Sequence, residues 1–112
     1  MNIAVICFTE HGAVLAERLS KGFSETEMTC WAWIKKKEAQ IPDCRNVQVL
    51  TQGLREWTKE QFAAVDAMIF IGATGIAVRS IAPYVRSKKT DPAVIVVDEQ
   101  GRHAISLLSG HI

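Results

Sequence analysis

The sequence is short of almost everything that would point to an unusual partner or compartment. Its three cysteines, Cys7, Cys30 and Cys44, are an odd number, with no CxxC spacing and no zinc-ligand pattern. Cys7 and Cys30 sit inside apolar runs, so free thiols in a reducing cytosol are expected; a catalytic cysteine is the alternative reading. Net charge is only +1 over 112 residues, which offers nothing to a polyanion, and no nucleic-acid partner is expected. No apolar stretch approaches the roughly 20 residues of a membrane span. Met1 leads straight into the apolar residues 3–8 with no basic region before them, so no signal peptide is expected either. The protein is expected to be soluble and cytoplasmic. Internal repeats and low-complexity segments are also lacking.

What is present is an ordinary globular balance, 48% hydrophobic and 22% charged residues, in a length suited to one compact domain. Ile3-Ala4-Val5-Ile6-Cys7-Phe8 is a continuous β-branched run that fits a strand buried on both faces. Thr9 is placed to cap a helix over residues 10–21, with Val14, Leu15 and Leu19 as its apolar face and Gly22 as its end. Residues 28–34 read as the second strand, and 35–46 as a polar connection broken by Pro42. Residues 47–50 are too short to assign. Leu54, Trp57, Gln61, Phe62 and Val65 recur near the helical period, predicting a helix over 51–65. Residues 67–71 are a third buried strand. A helix from about Gly75 stops before Pro83, which opens another helical turn. Residues 93–97 and 104–108, separated by Asp98-Glu99-Gln100-Gly101, form an antiparallel hairpin. The expected fold is a three-layer α/β domain, with a mostly parallel sheet and an antiparallel edge at its carboxy-terminal end.

Three groups of residues can carry chemistry. Gly72-Ala73-Thr74-Gly75 lies directly between a buried strand and a helix. Small residues there admit a ligand to the backbone, free amides at the helix start favour an anion, and Thr74 offers a hydroxyl donor or a cap. A plain strand-to-helix turn would need the same residues, and the segment is neither a Walker A loop nor GxGxxG. The second group, Arg79, Arg86, Lys88 and Asp91, offers cations for carboxylates, or surface ion pairs. The third is Glu10 and His11 after the first strand, with Ser109 and His111 after the last. In a parallel sheet the carboxyl ends share one rim, so Glu10, His11 and Thr74 are expected together; hairpin direction decides whether Ser109 and His111 join them. The basic runs at Lys35, Lys36 and Lys37 and at Arg79, Arg86, Lys88 and Lys89 read first as solvated faces.

The stretch Ile69-Phe70-Ile71-Gly72-Ala73-Thr74-Gly75-Ile76-Ala77-Val78-Arg79 is followed by Ile81-Ala82-Pro83-Tyr84 and Lys88-Lys89-Thr90-Asp91-Pro92-Ala93-Val94. Then come Val97-Asp98-Glu99-Gln100-Gly101-Arg102 and Ile105-Ser106-Leu107-Leu108-Ser109-Gly110-His111. This ordered series resembles the amino-terminal domain of the CbiG family, the cobalt-precorrin-5A hydrolases of anaerobic cobalamin biosynthesis. The resemblance implies an α/β amino-terminal domain, followed in the family by a Gly-rich segment, a middle region and a carboxy-terminal domain. The chain is therefore expected to be truncated after Ile112, to need that missing domain as its partner, and to be weakly active or inactive alone.

The resemblance also implies the reaction: water opens the ring-A lactone of cobalt-precorrin-5A, acetaldehyde leaves, and cobalt-precorrin-5B results. No cofactor or protein-bound metal is implied, since cobalt is carried by the substrate. On this reading Glu10, His11 or His111 is the base and Thr74 is catalytic. Gly72, Ala73, Gly75, Arg79, Lys88, Asp91 and Ser109 bind the substrate. The alternatives are a non-catalytic corrinoid-binding module, or an unrelated flavodoxin-like or regulator-like domain. A regulator would need an acidic phosphoacceptor, but the first strand ends in Thr9-Glu10 with no Asp pair.

Overall fold

Ile3 to Cys7 of the opening run are all buried, which a strand achieves only in the interior of a sheet covered on both faces. The computed structural model describes residues 1–36 and 44–110 and places this strand, β1 (Asn2–Cys7), in the middle of a six-stranded sheet. The other strands are β2 (Thr29–Ile34), β3 (Val47–Val49), β4 (Ala67–Ile71), β5 (Ala93–Val97) and β6 (Ala104–Ser109). Their order is β3-β2-β1-β4-β5-β6; the first five are parallel and β6 runs antiparallel to β5. The expected α/β architecture with its carboxy-terminal hairpin is thus found. The unassigned residues 47–50 contribute a three-residue edge strand.

The hairpin turn is built by Asp98, whose carboxylate accepts the main-chain N–H groups of Gln100 and Arg102 at 3.0 Å and of His103 at 3.1 Å. The Arg102 amide foremost, and then that of Gln100, holds this carboxyl below the ordinary aspartate range. A bulge opposite Val94 and Ile95 leaves Leu107 as the extra residue of β6. Consecutive residues Leu107 and Leu108 consequently pack against the same core.

Helix α1 (Glu10–Ser24) covers one face of the sheet, while α2 (Leu54–Ala64) and α3 (Thr74–Ile81) cover the other, with a 3-10 turn over Ala82–Tyr84. Thr9 caps α1 as expected, accepting the Gly12 N–H at 2.9 Å. Two expectations about this helix fail. It does not stop at Gly22 but continues to Ser24, because Phe23 packs its ring against the core. Burying an aromatic ring outweighs the roughly 1 kcal/mol that a helical glycine costs. Nor is its buried face the large apolar one: Gly12, Ala13, Ala16, Glu17 and Ser20 are buried, Leu15 and Leu19 flank them, and Val14 is 56% exposed. Small residues let the helix axis approach the sheet closely.

On the opposite face, α2 begins at Leu54 rather than residue 51, with Gly53 at its cap and Trp57 N–H donating to Gly53 O at 3.0 Å. Trp57 is fully buried and meets Trp33 and Phe70 edge-on, at centroid distances of 5.5 and 6.2 Å. No helix among the described residues is long and apolar enough to cross a membrane.

Glu17 is the buried acid of the α1 side. Its carboxylate accepts Asn46 N–H at 2.9 Å and Asn46 Nδ2–H at 3.0 Å, tying the helix to the approach of β3. Glu17→Ala is expected to destabilise the domain by about 1–3 kcal/mol, since it removes two hydrogen bonds to a charged group. Urea unfolding checks this: the midpoint should fall, and an unchanged midpoint would mean that Asn46 finds water just as favourable.

Candidate active-site cleft at the carboxyl rim

The chain leaves β1 toward one face of the sheet, through α1, and leaves the neighbouring β4 toward the other, through α3. That divergence opens a crevice above the carboxyl ends, the usual ligand position in such sheets. Here the crevice is a cleft of about 410 Å³ lined by His11, Gly72, Ala73, Asp98, Glu99 and Gln100. The first turn of α1 and the loops after β4 and β5 supply these residues.

Local geometry fixes the glycines. Gly72 has φ +148°, a conformation that strongly disfavours side chains, and its N–H donates to Val97 O at 2.9 Å, locking the end of β4 to β5. At Gly12 a Cβ would lie 3.2 Å from Cys7 Cβ and 3.2 Å from Thr9 Oγ1, a tight fit, so glycine lets α1 begin against β1 without displacing either neighbour.

Ala73 occupies the cap position of α3 and no side chain caps it; Thr74 is the first helical residue and does not take that role. The first-turn amides are therefore left without a side-chain partner beside the cleft, a place for developing negative charge. Glu10, exposed on α1, pairs with Lys36 at 3.5 Å. Lys35 Nζ donates to Gln52 O at 2.9 Å. Glu99 reaches across the rim, accepting the Thr9 hydroxyl at 2.9 Å. Among the described residues, no three His, Cys, Asp or Glu side chains converge as ligands for a metal ion.

The remaining candidates lie elsewhere. Arg79 folds back along α3, so that a Cβ on Gly75 would sit 3.5 Å from its Nη2. It lines a separate cavity of about 270 Å³ with Leu54, Arg55 and Tyr84, between α2 and α3. Lys88, Asp91 and Ser109 line a third cavity of about 310 Å³, with Arg86 and Gly110. This one is at the opposite rim: β6 is antiparallel, so Ser109 pairs with Ala93 at the amino end of β5. With β5 five residues long, at roughly 3.3 Å each the two rims are about 17 Å apart. Arg79, Arg86, Lys88 and Asp91 thus form two groups rather than one.

Asp91 is buried and accepts the N–H groups of Arg86 at 2.9 Å and Ser87 at 3.1 Å, which gives it a structural task. His111 lies outside the described residues. Glu99, in contrast, belongs in the cleft and was not among the candidates. Its signal was available, because it follows a parallel strand and shares the rim of Gly72. Reading 98–101 only as a turn concealed it.

The sequence of residues 56–112 matches the family model described as Cobalamin synthesis G N-terminal. The chain belongs to that family. It is 44% identical over 111 residues to the cobalt-precorrin-5A hydrolase of Salmonella typhimurium, covering 98% of this chain and 29% of that protein. It is 36% identical over 111 residues to the cobalt-precorrin-5A hydrolase of Priestia megaterium, covering 99% of this chain and 29% of that protein. The crystal structure of a cobalamin biosynthesis protein G homolog from Sulfolobus solfataricus has the same fold, with a TM-score of 0.68 at 23% identity over 97% of this chain and 29% of that one. The chain therefore spans under a third of the length of the curated relatives it matches. The family match covers the loops after β4 and β5, with Gly72–Gly75 and Glu99; Thr9 and His11 fall within the longer alignments.

A cysteine also stands beneath the cleft. Cys7 is fully buried at the end of β1, and its thiol is pushed up to about 12 by burial foremost, then by Cys44 and by Glu99. Thiolate is the nucleophilic form, and a pKa this high leaves roughly one part in ten thousand ionised at pH 8. Burial also raises the Cys30 thiol. None of the three cysteines forms a disulfide. An alkylating reagent at pH 8 should leave Cys7 unmodified in the folded domain and label all three cysteines in denaturant. Peptide mass spectrometry reads the outcome, and rapid native labelling of Cys7 would show that the rim opens.

Proposed function

We propose that this domain is the amino-terminal part of an enzyme that hydrolyses the ring-A lactone of cobalt-precorrin-5A, releasing acetaldehyde and leaving cobalt-precorrin-5B. The observation that carries the reading is the cleft at the junction of β1 and β4, in a chain whose curated relatives are both named for that hydrolysis. Lactone opening needs a base for water, donors for the oxygen that gains charge, and a proton carrier for the fragmentation that follows. The uncapped amides of α3's first turn suit the second task, with Thr74 beside them. His11, on the cleft wall, suits the third.

Cobalt arrives within the substrate, so the protein's residues act on the lactone and the macrocycle's carboxylates. The Arg79 guanidinium, on the flank of α3's first turn, suits a peripheral carboxylate, and Lys88 and Ser109 suit a contact at the other rim, where Asp91 holds the turn. The three thiols and the lack of a disulfide among them fit work in the cytoplasm.

A second reading has the domain only binding the corrinoid while the rest of a longer enzyme reacts with it. It is favoured by the open form of the cleft, whose residues come from a single rim, and by the short span of the chain relative to its relatives. Ligand sites commonly close between domains and bury about 70–90% of a drug-sized ligand. An open half-site leaves the lactone in water, where oriented donors lose much of their strength. Lactone opening and acetaldehyde release are therefore expected from a longer protein carrying this domain, and little or none from residues 1–112 at equal concentration. Comparable rates would place the whole apparatus in this domain; no reaction from the longer protein would remove the hydrolase reading.

A further inference from the structure

Three carboxylates stand at the carboxyl rim, and their surroundings separate them. Asp98 spends its oxygens on the three main-chain N–H groups of the hairpin turn. Glu10 faces Lys36 across 3.5 Å. Glu99 lines the cleft, is half-buried, and accepts one hydrogen bond, from Thr9, at Oε1. Its second oxygen accepts no hydrogen bond among the described residues.

From this geometry we infer that Glu99 is the general base that activates the attacking water, with Thr9 as the positioning residue that aims it. The inference rests on the lactone-hydrolysis reading above. Thr9 Oγ1 accepts the Gly12 N–H at 2.9 Å and lies 2.9 Å from Glu99 Oε1. Since the amide approaches the hydroxyl from its acceptor side, the one hydroxyl proton is directed to Glu99. The bond joins the loop after β1 to the loop after β5 and so spans the end of β4, which lies between those strands. Gly72, at that end, has no side chain to fill the space below.

His11 shares the cleft, but no hydrogen bond among the described residues fixes its ring, so it is the less oriented of the two ionisable groups. The step balances without a further reactant. Glu99 takes one proton from water as the water oxygen bonds to the lactone carbonyl carbon. The ring C–O bond then breaks with its electron pair going to the ring oxygen. That oxygen receives the proton back, leaving a carboxylic acid and a hydroxyl. In the fragmentation that follows, the carbon bearing this hydroxyl leaves as acetaldehyde as its C–C bond to the macrocycle breaks, the electron pair going to the macrocycle and the hydroxyl proton to a base.

The test uses a longer protein carrying this domain, with cobalt-precorrin-5A as substrate. Glu99→Gln should lower kcat by about 100-fold or more, the range of a lost general base. Corrinoid affinity, from absorbance titration, should change less than about threefold. The acid limb of the kcat/KM profile should disappear in Glu99→Gln, because a base works only when ionised. Glu99→Ala should recover rate when formate is added, which a merely structural carboxylate would not allow. Thr9→Val should lower kcat and displace the acid limb, and Thr9→Ser should restore both. If the unsubstituted protein opens the lactone and Glu99→Gln retains its rate and acid limb, this assignment is wrong while the hydrolase reading stands. If the unsubstituted protein does not open the lactone, the hydrolase reading itself has failed.

Discussion

Burial of β1 and β4 on both faces is the constraint from which the rest of the domain follows. Val5, Ile6 and Cys7 of β1 and Met68 and Ile71 of β4 are fully buried, and the two strands pair in parallel from Ile3 opposite Ala67 to Cys7 opposite Ile71. Neither face of such a pair can meet water, so helices must cover both. A parallel partner can be reached only by a crossover, and the crossovers that leave β1, β3 and β4 each carry a helix over one face. With α1 on one side and α3 on the other, the chain has to part above the shared carboxyl end. The cleft is the opening left by that parting. Its floor is Gly72, its walls are the first turn of α1 and the hairpin turn, and a single hydrogen bond from Thr9 to Glu99 joins those walls.

Much of this was legible in the residues because two periods and a few caps carry the information. The apolar runs pointed to every strand except the three-residue β3, whose apolar content is too small to stand out. Thr9 announced the start of α1, and Gly72 the end of β4. The failures have a common physical origin, since they depend on neighbours that the local sequence does not contain. Val14 reads as apolar and is exposed, while Ala13, Ala16 and Ser20 face the sheet, because distance to the sheet, not hydropathy, selects that side. Gly22 reads as a stop, but the core packing of Phe23 carries the helix past it.

The site shows the same division. Glu10, His11 and the Gly72–Gly75 segment were correctly assigned to one rim by strand direction alone. Ser109 could not be placed without knowing which way β6 runs, and antiparallel pairing sends it to the far end of the sheet. Lys88 and Asp91 go with it. A linear series of motifs therefore divides into two surfaces about 17 Å apart by strand rise. Asp91 at the second surface is committed to holding a turn. Glu99 was overlooked because an acid in a tight turn has an obvious local use. Yet Asp98 fulfils that use, taking the turn's three amides and leaving its neighbour available.

Adjacent acids with different tasks are how a small domain can be rigid and reactive at one point. Asp98 is held below the usual carboxylate range by the Arg102 amide foremost, and its carboxylate ties the turn together through three main-chain amides. Glu99 is carried by that turn, so its backbone is fixed by its neighbour and its side chain by Thr9. The Thr9 hydroxyl is in turn fixed by the Gly12 amide, at a position where a Cβ would crowd Thr9 Oγ1 at 3.2 Å. Each link is a local contact, and together they transmit the rigidity of the β1–β4–β5 core to one carboxylate oxygen. That rigidity is what an oriented base requires, since misplacement by about 1 Å can cost two orders of magnitude in rate.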